Sequence, residues 1–144
     1  MSDDVSFRAG TPRPAQLRAL RSVGLTRSQR RAFFRGELVV FDLPTDSEAG
    51  MGKIQLAGAR LRCGIVGIEH VGGGLQDLAR FREHARAVAR VFGAGELELF
   101  GESVLNERVE AMLLRRGFTR TREPVPQELG GGSKVVLWKV FRVG

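Results

Sequence analysis

Residues 60–100 read RLRCGIVGIEHVGGGLQDLARFREHARAVARVFGAGELELF, and three changes of pattern divide them. Arg60 to Ile68 carries Leu61, Cys63, Ile65 and Val66, an apolar density that predicts a central strand. Glu69-His70-Val71-Gly72-Gly73-Gly74 breaks that pattern. From Leu75 to Phe92 the period becomes helical, because Leu75, Leu78, Phe81, Ala85, Val88 and Phe92 recur three or four apart on one face. Gly93-Ala94-Gly95 stops the helix, and Glu96 to Phe100 alternates as a strand does.

Working outward, Glu37 to Asp42 is rich in β-formers and predicts a strand, while Leu43 to Gly52 reads as a loop. Lys53 to Ala57 pairs with Arg60 to Ile68 around Gly58. Upstream, Val5 to Ala9 suits a short strand. Pro14 suits the first turn of a helix running to Gly24, and Thr26 suits the N-cap of a second helix ended by Gly36. Downstream, Glu107 to Arg116 predicts the last helix, with Asn106 as its N-cap, Val109, Met112 and Leu113 facing inward, and Gly117 at its end. Phe118 to Arg122 and Lys134 to Val143 are the last strands, and the long Glu123 to Ser133 connection reads as a mobile loop. The plan is α/β: a mixed central sheet of about six or seven strands flanked by four helices. With 144 residues and no internal repeat, it predicts one domain over residues 1–144.

The chain holds 23 basic against 16 acidic residues, a net charge of +7, and all its basic residues except Lys53, Lys134 and Lys139 are arginine. Such a surface favours anionic partners, although arginine bias also follows from a GC-rich genome. Arg18, Arg21, Arg27, Arg30, Arg31 and Arg35 make the first two helices the most basic region. They read either as a solvated face or as a landing surface for RNA or an acidic protein, with Phe33 and Phe34 either stacking or filling the core. Arg82, Arg86 and Arg90 read as a solvated helix face. No apolar run reaches the roughly 20 residues of a membrane helix, and the N-terminus lacks a signal peptide's character, so the expectation is a cytoplasmic protein without a membrane partner. The lone Cys63 reads as a buried structural thiol. His70, His84 and Cys63 make no metal-ligand spacing, so no metal is expected.

Gly72-Gly73-Gly74 before a helix lets successive backbone N–H groups and the helix N-terminus face an anion such as a pyrophosphate. The spacing of Glu69, Gly72 and Gly74 resembles the Q/R-x-x-G-x-G/A loop of GNAT-type N-acetyltransferases, which follows their fourth strand. Asn106, Val109, Leu113, Gly117 and Phe118 likewise fall at the offsets of that superfamily's N-x-x-A-x-x-x-Y-x-x-x-G-F segment. Two positions depart from the pattern. Glu69 stands where the family has Gln or Arg, and Leu113 stands where it often has the tyrosine that protonates the leaving thiolate. The chain contains no tyrosine.

The resemblance implies an acyl-CoA-dependent N-acyltransferase using acetyl-CoA or another acyl-CoA. Ile68, Val71, Gly72, Gly73, Gly74, Leu75 and Asn106 would bind the cofactor, and Glu69 or His70, the titratable residues nearest the acyl group, would be the catalytic base. Direct transfer remains open without the tyrosine, because positioning supplies much of the rate and a thiolate is a tolerable leaving group. The expected acceptor is an amine, free or borne on an anionic carrier such as an RNA or an acidic protein, and a homodimer is left open. The alternative is a GNAT-like fold without acetyl transfer. IEHVGGGL and LGGGSKVVLWKVF also resemble C-terminal modules of bacterial polymorphic toxins, which would make the chain an RNA-binding or RNA-cleaving effector using His70, Glu69 and Lys53.

Overall fold

The computed structural model describes residues 11–42, 51–66, 74–102 and 107–144. They form α1 (Pro14–Val23), α2 (Arg27–Phe34), β1 (Val39–Asp42), β2 (Met51–Ala57), β3 (Arg60–Val66), α3 (Gly74–Val91), β4 (Glu96–Glu102), α4 (Glu107–Arg115), β5 (Thr119–Pro124) and β6 (Ser133–Arg142), with a 3-10 turn at Gln127–Leu129. The expected mixed α/β plan is therefore the observed one, with six strands in the sheet. The proposed strand at Val5 to Ala9 lies outside the described residues, as do Gly67 and Ile68.

The helix ends follow local chemistry. Pro14 opens α1 in the first turn, where its missing N–H would have had no helical partner. Thr26 caps α2 reciprocally: Gln29 N donates to Thr26 Oγ1 at 3.3 Å, and Thr26 N donates to Gln29 Oε1 at 2.8 Å. That contact fixes the turn between α1 and α2 and so aims Phe33 into the core.

The six strands lie in the order β1-β2-β3-β4-β6-β5. Only β3 and β4 pair in parallel, from Arg60 opposite Glu96 to Val66 opposite Glu102, and the long α3 supplies the crossover such a pair needs. The other pairings are antiparallel. Because side chains alternate, Leu61, Cys63 and Ile65 of β3 share a face with Leu97 and Leu99 of β4 and Leu137 of β6. That face carries the helices: Leu20, Phe33, Val88 and Ala89 pack over Leu61, Cys63 and Leu97, and Val109 and Leu113 of α4 pack over Ile65 and Leu137.

On the opposite face, Arg60 and Arg62 bridge to Glu96 and Glu98. One step further along this face the Phe100 ring lies across Gly64, where a Cβ would run into the ring, and the Arg62 guanidinium sits 5.1 Å from its centroid. Gly64 is thus required by a close approach and not by a turn.

Three expectations are corrected. The stretch Leu43 to Gly52 is not loop to its end, because Met51 and Gly52 already pair with Val66 and Ile65. Gly52 serves there as the space beneath the Phe41 ring. The Glu123 to Ser133 connection is not an open loop. β5 and β6 stay paired to Pro124 and Ser133, Val125 N donates to Gly132 O at 2.9 Å, and Leu129, Gly130 and Gly131 donate back to Pro126 and Gln127. Arg82 does not lie on a plain solvated face, as described next.

Candidate functional site

The helices that follow the two parallel strands, α3 after β3 and α4 after β4, stand apart over the sheet and leave a cleft of about 210 Å³. Its floor is Ile65, Leu99 and Gly101. Ala79, Phe81 and Arg82 of α3 form one wall, Met112, Leu113 and Arg116 the other, and Phe118, Lys139 and Phe141 close it. Crevices beside the C-terminal ends of parallel strands are where open α/β sheets take ligands.

Among the described residues the cleft is apolar apart from its cations, and no carboxylate lines it. Lys139 lies on the helix-bearing face of β6, opposite Leu99. Its Nζ donates to Arg116 O at 2.6 Å and sits 5.0 Å from the centre of the Phe141 ring, so it neutralises the carbonyl end of α4. Gly117 has φ of 90°, which favours glycine at this helix end, and a Cβ there would meet Lys139 Nζ at 3.3 Å and ask it to shift slightly. Arg82 is placed differently. Its side chain is 41% exposed and ion-paired with Glu83, whose Oε2 lies 3.8 Å from Nε, yet Nε itself is shut off from solvent and has no hydrogen-bond partner among the described residues.

Glu102, the last residue of β4, occupies the opposite face of the sheet from the cleft. Lys53 Nζ donates to both its oxygens at 2.9 Å, and Lys134 Nζ to Oε1 at 2.6 Å. Desolvation pushes this carboxyl upward, but the hydrogen bonds from Lys134 and Lys53 outweigh it and hold the group below the usual glutamate range. It stays ionised and is a weak proton acceptor.

Of the residues singled out by sequence, Gly74, the last of the glycine run, and Leu75 open α3. Ile68, Glu69, His70, Val71, Gly72, Gly73 and Asn106 lie outside the described residues. α4 starts at Glu107. Leu113, at the position of the family's tyrosine, is buried against Ile65 and Leu137 and presents carbon to the cleft. His84 Nε2 lies 2.9 Å from Ser22 Oγ, tying α3 to α1 away from the cleft. Burial drives the Cys63 thiol strongly upward and leaves it inert. Phe33 is core, whereas Phe34 is partly exposed and packs at a tilt against Phe92. Arg18, Arg21, Arg27 and Arg31 are exposed.

Sequence reading missed Arg82, Arg116, Lys139 and Glu102. Two of these carried a signal: Lys139 interrupts the otherwise apolar VVLWKVF, and Glu102 continues the alternation of Glu96 and Glu98. Among the described residues no group of three His, Cys, Asp or Glu converges to hold a metal, and no helix is long and apolar enough to cross a membrane.

No protein-family model matches the chain, and no curated protein is significantly similar to it. Among solved structures it is similar to one described as a "putative ribosomal-protein-serine acetyltransferase from Vibrio cholerae", with 15% identity, a TM-score of 0.39, and coverage of 88% of this chain and 86% of that one. So distant a likeness does not carry a site from one chain to the other.

Proposed function

We propose that the protein is an acyl-CoA-dependent N-acyltransferase. The observation that carries this reading is the apolar, cation-rimmed cleft between α3 and α4, beside a parallel strand pair whose connection runs through Gly72-Gly73-Gly74 into α3. The residues present suit such a co-substrate. The N-terminus of an 18-residue helix after three glycines favours a pyrophosphate, and the cleft favours an apolar acyl group.

Acyl-CoA supplies a thioester carbonyl already activated toward an amine. The amine nitrogen bonds to that carbon, the carbon–sulfur bond breaks, and its electron pair leaves on sulfur. Glu69 or His70, between β3 and α3 in sequence, takes the proton the nitrogen gives up, and the products are an amide and CoA. Leu113 supplies no proton, but a thiolate with an ordinary pKa near about 8.5 leaves without one. The basic α1 and α2 would favour an amine borne on an anionic carrier.

Thermal unfolding with CoA tests the first requirement. A ligand present at 100 times its Kd stabilises the native state by about 2.7 kcal/mol, which raises the Tm of a chain this size by about 5–10 °C. No shift at millimolar CoA contradicts the proposal. If CoA binds, Glu69→Gln or His70→Ala should lower turnover with binding intact, and unchanged turnover in both would remove them from the site.

A further inference from the structure

Resting on the acyltransferase reading, we propose that the acyl group accepted by the cleft is longer than acetyl and ends in a carboxylate, held by Arg82.

The first support is what the floor of the cleft does not offer. β4 is paired along its whole length with β3 on one side and β6 on the other, and β3 likewise with β2 and β4. Over the described residues these strands have no free backbone edge to pair with the two amides of a pantetheine arm. What the cleft offers is carbon.

The second is size. A dry apolar cavity of roughly 150 Å³ takes benzene, so about 210 Å³ suits about eight non-hydrogen atoms. An acetyl group has three and would leave most of the cleft empty. The third is charge. The Arg82 side chain is 41% exposed, with Glu83 Oε2 3.8 Å away, but its Nε is shut off from solvent and has no hydrogen-bond acceptor, and among the described residues no carboxylate lines the cleft. Such a donor is costly until an acceptor reaches it, and the guanidinium fork matches a carboxylate. Lys139 is already committed to Arg116 O and contributes positive potential only.

The transfer step is unchanged: the amide bond forms at the thioester carbon, the carbon–sulfur bond breaks, and the terminal carboxylate is carried into the product. An amine is thereby converted from a cation into an anion.

Calorimetric titration with CoA, hexanoyl-CoA and glutaryl-CoA tests this, the last two being similar in length and differing in the terminal carboxylate. The wild-type protein should bind glutaryl-CoA about tenfold or more tightly than hexanoyl-CoA. Arg82→Gln should abolish that preference with CoA affinity unchanged, and Arg82→Lys, which keeps the charge but not the fork, should retain part of it. Equal or weaker binding of glutaryl-CoA by the wild-type protein overturns the inference and leaves the acyltransferase reading standing. So does an Arg82→Gln loss equal for all three ligands, which would assign Arg82 to CoA itself. Binding of none of the three overturns both.

Discussion

Replacing Glu102 with Gln removes the one carboxylate on which Lys53 and Lys134 converge. Its side chain is 10% exposed, against 18% for Lys53 and 28% for Lys134, so the pair sits where water screens poorly but both ammonium groups retain a route to solvent. A hydrogen bond to a charged group contributes about 1.5–3 kcal/mol, and these contacts share one acceptor and do not add. The expected loss is therefore about 2–3 kcal/mol at neutral pH, below the roughly 3–5 kcal/mol of a fully buried broken pair. That corresponds to a Tm lower by about 4–12 °C. The pH dependence follows from the direction of the shift. A carboxyl held lower in the folded than in the unfolded state contributes stability that is full above its unfolded pKa and is lost as pH falls through the folded one. Thermal melts of both proteins from pH 7 to pH 3 should show the gap closing below about pH 4.5. A gap under about 1 °C at pH 7, or one undiminished at pH 3, would refute the account of this cluster.

Gly64→Val forces a Cβ into the Phe100 ring and should destabilise by about 1–3 kcal/mol in denaturant melts, with Phe100→Ala partly relieving it; an additive double variant would count against the contact. Gly117→Ala sets a side chain at positive φ against Lys139 and should lose about 1–2 kcal/mol, whereas no loss would mean the α4 end relaxes freely. Cys63 should resist alkylation in the native protein and react at the rate of global unfolding, as mass spectrometry would record; rapid labelling at pH 8 would contradict its burial.

The elements with strong local signals were legible in the sequence. Thr26 marked the start of α2, and the spacing of Phe81, Ala85 and Val88 marked α3. The density of Leu61, Cys63 and Ile65 put β3 inside the sheet. What escaped was set by contacts distant in sequence. The turn between β5 and β6 closes through Val125 and Gly132, whose compositions suggest a loop and whose hydrogen bonds do not. Met51 and Gly52 join β2 because Val66 and Ile65 lie opposite and because the Phe41 ring needs a glycine beneath it. The site divides the same way. The glycine run before α3 was visible as composition, whereas Arg82, Arg116 and Lys139 come from two helices and a late strand. Only the packing of α3 and α4 over β3 and β4 makes them neighbours.

Amide hydrogen exchange with and without CoA reads ligand and location together. The account predicts slowed exchange over residues 72–82 and 107–116 at millimolar CoA, the α3 start and the two walls of the cleft, with α1 and α2 unchanged. No protection at that concentration, or protection confined to residues 14–35, would contradict it.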